Sequence, residues 1–392
     1  MAIARSLQEE MTKSSWIRKM FEAGEALKAR GSDEVFDFSL GSPNLEPPRE
    51  FQDALRDLVT NPVPGMHKYM PNAGYPSTRK AVADLMGEQE GVPMEGLDVI
   101  MTVGAAGALN VALTSILDPG DEVIILAPYF VEYMFYIRNH CGTVKVVQTT
   151  EDFDIDLDAI ERALTERTKA LIINTPHNPT GKVYSQQKLD GLARLLQRHE
   201  AQHNLVHLLV DTPYARITYE TRNPLFFASH PATLIAHSHS KDLGLAGQRI
   251  GYLAINPLHP DRMALRTACA VTNRTLGFVN APALMQLALE RSIHASVDVS
   301  YYRNVRDLLC DGLARAGYHF VRPDGAFYVF PRTPIPDDVA FTQELLQENV
   351  LVVPGSGFGR AGHIRIAFCV EPKTVERALP RFARVLQRVT SG

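Results

Sequence analysis

Residues 170–211 read ALIINTPHNPTGKVYSQQKLDGLARLLQRHEAQHNLVHLLVD. An apolar run, Ala170 to Ile173, ends in Asn174 and a loop punctuated by Pro176, Pro179 and Gly181. Apolar residues then recur at helical spacing from Gln186 to Gln197, and a second apolar run, Val206 to Val210, ends in Asp211. A strand that is apolar throughout is covered on both faces, and two such strands joined through a helix form a parallel pair. The same rhythm extends outward, with strand candidates at Val99 to Val103, Glu122 to Leu126, Val144 to Val147, Thr233 to His237 and Ile250 to Ile255. Helical patterns lie between them at Ala105 to Leu117 and Leu157 to Leu164. The reading is an α/β fold, a mostly parallel sheet covered by helices.

Beyond about residue 285 the pattern changes. A long helical stretch, Ala283 to Ala316, stops at Gly317; a strand follows at Phe327 to Phe330, then a helix, a strand at His363 to Cys369 and a last helix from Glu371. This predicts a smaller α+β domain made of residues 1–44 and 286–392 beside a large domain of residues 45–285. The helix Ser14 to Lys28 belongs to the smaller one, set apart by Pro43, Pro47 and Pro48.

With 392 residues, 45% of them apolar and 21% charged, the chain has the composition of an ordinary globular protein. Its 40 Lys and Arg against 44 Asp and Glu offer no broad attraction for nucleic acid or anionic lipid, so an anion must be held locally. Neither a signal peptide nor a membrane-spanning run is visible. The four cysteines stand far apart without CxxC spacing, so neither a disulfide framework nor a zinc site is expected, and a reducing, cytoplasmic setting fits.

Ligands of α/β sheets bind beyond the carboxyl ends of the strands. After Val99 to Val103 comes Gly104-Ala105-Ala106-Gly107-Ala108, small residues opening a helix whose free N–H groups suit a phosphate. After Ala170 to Ile173 comes the restricted loop Asn174 to Gly181, which aims Asn178 and contains X-Pro bonds able to be cis. Val206 to Val210 delivers Asp211, with Tyr214 three residues on, and Thr233 to His237 delivers Ser238-His239-Ser240-Lys241, with Arg249 eight residues after the lysine. Taken singly, each also fits a plain role: a tight turn, a loop, a helix N-cap, a surface amine. Together they place a primary amine among phosphate-binding groups, where cations and burial lower its pKa and make it a nucleophile toward an aldehyde. His237 and His239, with Asp242 close by, are set aside as a metal site, and no metal is expected.

Asn178-Pro179-Thr180-Gly181, Asp211-x-x-Tyr214, Ser238-x-x-Lys241 and Gly247-x-Arg249-x-Gly251 resemble, in type, order and spacing, the pyridoxal-phosphate enzymes of fold type I, the class I/II aminotransferases, which are aspartate aminotransferase-like. The resemblance runs from Leu40-Gly41-Ser42-Pro43 to Ile364-Arg365-Ile366. It implies that Lys241 is joined to pyridoxal 5'-phosphate and moves the proton, Asp211 faces the ring nitrogen, and Tyr214 and Asn178 face the ring's phenolic oxygen. Phe130 stacks on the ring. Ala105, Ala106, Ser238 and Arg249 hold the phosphate, with Tyr69 reaching in from a second subunit of a homodimer. Arg365 grips the substrate carboxylate beside Gly41 and Asn178.

The implied reaction is ping-pong transfer of an amino group from an L-amino acid, with aspartate, alanine or glutamate favoured, to a 2-oxo acid such as 2-oxoglutarate. A β-lyase, decarboxylase or racemase on the same scaffold is the alternative. A DNA-binding regulator is disfavoured, because the residues before Gly41 are too few and too mixed in charge for such a module. Two departures from the family's pattern stand out: His177 precedes Asn178, and Ala105-Ala106 lacks a hydroxyl or amide. Arg274, His177 and Trp16 are the candidates for reading the substrate side chain.

Overall fold

The computed structural model of the chain describes residues 3–4, 16–29 and 34–391. Ser14 and Ser15 of the expected N-terminal helix lie outside these; the helix itself is described over Trp16–Ala29. Twelve strands occur among the described residues: β1 Phe36–Asp37, β2 Val99–Thr102, β3 Glu122–Ala127, β4 Thr143–Gln148, β5 Thr168–Asn174, β6 His207–Asp211, β7 Thr233–Ser238, β8 Gly251–Ile255, β9 Tyr328–Val329, β10 Val350–Leu351, β11 Val353–Pro354 and β12 Ile364–Ala367.

β2 to β8 form one sheet in the order β2-β8-β7-β6-β5-β3-β4. The pairs β4·β3, β3·β5, β5·β6 and β6·β7 are parallel, while β8 runs antiparallel between β7 and β2. The central strands are apolar because alternate residues enter two different cores. Leu171, Ile173, Leu208 and Val210 pack on one face, and Ala170, Ile172, Leu209 and Leu234 on the other. At about 1.5–3 kcal/mol for each fully buried Leu or Ile, a one-residue slip of β5 or β6 would exchange the two sets and be strongly disfavoured. β4, with exposed Thr143, Val146 and Gln148, is one edge and β2 the other.

A second core surrounds the antiparallel trio β11-β12-β9 and contains Tyr302, Leu309, Phe327, Phe341, Ile366 and Phe382. The helices Val299–Ala316 and Pro372–Ser391 pack on each other over it. The single helix expected from Ala283 to Ala316 is two. Ala283–Arg291 ends before Ser292, and a second helix starts at Val299, where the Asp298 side chain accepts from Ser300 N at 2.9 Å. Met285, Ala288 and Leu289 of the first pack with the large sheet, whereas Val305, Leu309 and Leu313 of the second pack in the other core. The break lets one run of apolar residues serve two cores. No helix among the described residues is long and apolar enough to cross a membrane.

Candidate active site

The ends of β5, β6 and β7 lie side by side, which brings Asn174, Asp211 and Ser238 to one rim of the sheet. Asp211 is 5% exposed, and its Oδ2 accepts from the Tyr133 hydroxyl at 2.5 Å. Asn174 Nδ2 donates to the Asp211 main-chain carbonyl at 2.9 Å. Burial pushes the Asp211 pKa up to about 6, against the Tyr133 hydrogen bond and the His237 ring, which pull it down. Its Oδ1 is buried without a partner, an acceptor that asks for an N–H from a ligand.

Gly104 adopts φ +84° ahead of the helix Ala105–Ile116, and a Cβ there would lie 2.9 Å from Arg249 Nη2 and 3.3 Å from Ser238 Oγ. Glycine is therefore needed for the backbone to come this close. Arg249 is held by carbonyls of Ala246 at 2.8 Å and Val103 at 3.1 Å, while Ser238 and Ser240 share a hydrogen bond of 2.7 Å. A helix N-terminus, two hydroxyls and a guanidinium thus gather where a dianionic phosphate is well served.

Lys241 follows within one turn, because Ser238 caps the short helix His239–Asp242. Its Nζ donates to the Gly41 carbonyl at 2.6 Å. Burial, with Arg365 and Arg249 nearby, brings its pKa down to about 8, so the neutral amine is within reach at mildly alkaline pH. A Cβ at Gly41 would fall 1.8 Å from the Tyr328 hydroxyl, so any larger residue must displace that ring. That hydroxyl bonds the Tyr214 hydroxyl at 2.7 Å, and burial pushes the Tyr214 pKa well above its ordinary value, so this phenol stays a donor.

Arg365 is 2% exposed and lies between the rings of Tyr328 and Phe358, each centroid 4.8 Å from its Cζ. It donates to Asn178 Oδ1 at 3.1 Å and Ser39 O at 2.5 Å, and its Nε is buried without a partner. Having yielded Oδ1 to Arg365, Asn178 has its NH2 group left for a ligand. The bonds before Pro128, Pro176 and Pro179 are cis.

These groups line one cavity of about 310 Å³, whose wall includes Gly41, Ala105, Ala106, Phe130, Asn178, Asp211, Tyr214, Ser238, Lys241, Arg249 and Arg365. Of the residues expected at the site, Tyr69 is not among them and stands 96% exposed. His177 is buried behind the loop, bonded to Thr180 Oγ1 at 2.7 Å, with its pKa pushed down to about 3 by burial. Arg274 is exposed near the end of the helix Arg262–Thr275. Trp16 packs against the cluster of Phe153, Phe330, Val353 and Phe358 and does not line the cavity; the side chains of Ile17 and Arg18 are not described.

Sequence reading missed Tyr133, Asn174, Ser240 and Tyr328. Asn174 and Ser240 were discoverable, since Asn174 closes an apolar strand as Asp211 does and Ser240 precedes Lys241. Tyr133 and Tyr328 carried no local signal. The arrangement fits pyridoxal phosphate: an orphaned carboxylate oxygen for the ring nitrogen, an amine of lowered pKa for the aldehyde, and a cradle of donors for the phosphate.

Residues 33–382 match the family model for aminotransferase class I and II. The aspartate/prephenate aminotransferase of Thermus thermophilus is 36% identical over 371 residues, covering 92% of this chain and 93% of that one. The crystal structure of an amino transferase from Eubacterium rectale superposes with a TM-score of 0.95 at 34% identity, covering 99% of both chains. Aspartate aminotransferase from Thermus thermophilus with maleate gives a TM-score of 0.88 at 33% identity, over 98% of this chain and 100% of that one. The chain belongs to the class I and II aminotransferases, enzymes of fold type I that use pyridoxal phosphate.

Proposed function

We propose that the chain transfers the amino group of aspartate, alanine or glutamate to 2-oxoglutarate or a similar 2-oxo acid, and that the residues lining the cavity divide the work as follows. Asp211 keeps a positive charge on the cofactor's ring nitrogen, Tyr214 and Asn178 donate to its phenolic oxygen, and Phe130 covers the ring. Ser238, Arg249 and the N–H groups of Ala105 and Ala106 hold the phosphate. The bound cofactor supplies an electron sink for negative charge at the substrate Cα. Lys241 would take the proton from the substrate Cα and deliver it to C4′, the cofactor's aldehyde-derived carbon on the other side of the amino nitrogen. Arg365 fixes the α-carboxylate through its remaining N–H groups, which orients the Cα–H bond toward that amine. Gly41 closes the carboxylate pocket.

The observation that carries this reading is the buried Arg365 with an unpartnered Nε in the same cavity as Lys241. An aspartate substrate is supported by the relatives' names, several of which are aspartate aminotransferases. We also propose a homodimer, because Tyr69 is a nearly fully exposed aromatic, turned away from the cavity of its own chain. The division into residues 45–285 and residues 1–44 with 286–392 is likewise proposed, with the helix Ala283–Arg291 lying against the larger part. The four unpaired cysteines suit the cytoplasm.

The test adds amino acids singly to the purified yellow protein. The expected result is loss of the cofactor's absorption band with one or more of these donors and its recovery on adding 2-oxoglutarate. Pyruvate and ammonia produced without any 2-oxo acid acceptor would instead establish a lyase.

A further inference from the structure

Neighbouring residues of a strand point to opposite faces, so behind Asp211 and Ser238 stand Thr212 and His237. His237 is 3% exposed. Its Nδ1 lies 2.8 Å from the Thr212 carbonyl, and its Nε2 lies 3.3 Å from Asp242 Oδ2. A carbonyl and a carboxylate only accept, so the two bonds together require a hydrogen on each ring nitrogen, Nδ1 donating to Thr212 and Nε2 to Asp242. Asp242, fully buried, also receives His239 Nδ1 at 3.2 Å and Arg216 Nε at 3.7 Å. Arg216 is anchored on the carbonyls of Ala295 and Ile293 at 2.6 and 2.7 Å. The ligand atoms of His237, His239 and Asp242 lie within 4.8 Å of one another, but Arg216 already supplies the positive charge at this carboxylate.

The chain positions matter. Thr212 follows Asp211, and Asp242 follows Lys241. We propose that His237 and Asp242 are a positioning pair that locks the strand end bearing Asp211 to the helical turn bearing Lys241, holding acid and amine at a fixed separation across the cofactor. One hydrogen bond fixes the main chain just after the acid, and its counterpart fixes the residue just after the amine. The imidazole also stacks on Tyr252, with ring centroids 4.9 Å apart, and lines a second cavity of about 260 Å³ with Glu90, Arg216 and Tyr252. The groups facing it are therefore Asp242, His239, Arg216, Tyr252 and Glu90, with Asp211, from the adjacent strand, on the opposite face of the sheet. The proposal rests on the roles given to Asp211 and Lys241 above.

The test compares the holoenzyme with H237F, H237N and D242N. Phenylalanine keeps the stack on Tyr252 but donates nothing; asparagine restores a donor toward the Thr212 carbonyl. In H237F, kcat for the best amino acid should fall roughly 10- to 100-fold with KM within about threefold, as displacement of catalytic groups by a fraction of an ångström to an ångström produces. The pH midpoint of the cofactor's absorption band should move by about half a unit or more. H237N should regain most of kcat without melting higher than H237F. D242N should show the same loss and the same spectral shift, and it decides the matter if H237F does not fold. Wild-type kcat and spectral midpoint in D242N, or no advantage of H237N over H237F, would overturn the positioning role. Lys241→Ala separates the two layers: residual turnover there defeats the proposed site roles, whatever His237 does.

Discussion

Replacing Arg365 by Lys tests the carboxylate pocket most sharply. A guanidinium has five N–H groups, and Asn178 Oδ1 and Ser39 O take two, which leaves three, including the unpartnered Nε. That is enough for a two-bond grip on a carboxylate while both protein bonds persist. Lysine keeps the charge but offers three rotatable donors at one point, and it cannot satisfy both protein acceptors and a two-pronged carboxylate. Losing one charge-assisted hydrogen bond costs about 1.5–3 kcal/mol, which converts to a roughly 10- to 150-fold drop in kcat/KM. Most of the drop should appear in KM, since the carboxylate is bound alike before and during proton transfer. The assay measures both half-reactions for aspartate and for a simple amine lacking an α-carboxylate. The amine should be equally poor with R365K and the wild type. If R365K loses less than about threefold with aspartate, or loses as much with the amine, then Arg365 only supports the fold around Tyr328 and Phe358.

The other expectations concern single groups. In cofactor-free protein, the Lys241 amine should react with pyridoxal at a rate that rises with pH and levels off above about 8; a midpoint near 10.5 would contradict its burial. Because its folded-state pKa lies below the ordinary 10.5, the unfolded chain binds more protons between pH 8 and 10.5, so Lys241 costs stability increasingly as pH falls through that window. Asp211 has the opposite shift: its pKa of about 6 lies above the ordinary 3.8, so its burial favours the folded empty protein below pH 3.8, and that advantage is lost as pH rises through 6. Non-covalent cofactor binding in K241A should accordingly weaken below pH 6, measured by equilibrium dialysis, and a flat profile from pH 5 to 8 would remove Asp211 from the ring nitrogen. Asp211→Asn should lower kcat by about 10²- to 10⁴-fold while Tyr133 stays in place, checked by single-turnover spectroscopy. Gly41→Ala drives a methyl into the Tyr328 hydroxyl and should cost about 1–3 kcal/mol of stability by thermal melting, with Y328F giving incomplete relief because the ring carbon is also within 2.7 Å. Co-expressing Y69A with K241A should yield hybrid dimers with one intact site and partial activity; inactive hybrids would mean that Tyr69 serves no partner.

What was legible in the sequence follows from where the information sits along the chain. β3, β5, β6 and β7 are buried on both faces, so each appears as an apolar run, and the chemistry stands within a few residues of where that run stops; β8, running the other way, has Arg249 just before its start. A strand end can be found without knowing its neighbours. The partners that tune it come from elsewhere: Tyr133 reaches Asp211 across 78 residues and Tyr328 reaches Tyr214 across 114, and neither differs locally from a core aromatic. The break between Arg291 and Val299 was hidden for a related reason, since both flanking helices are apolar and only the cap Asp298 marks the restart. His237 is the instructive middle case. Its proximity to His239 and Asp242 in sequence raised the question of a metal, whereas the answer depended on Arg216 from another segment and on the Thr212 carbonyl of the adjacent strand. A histidine beside a carboxylate has an ambiguous role until the third and fourth groups around it are known, and only the sheet's register supplies those.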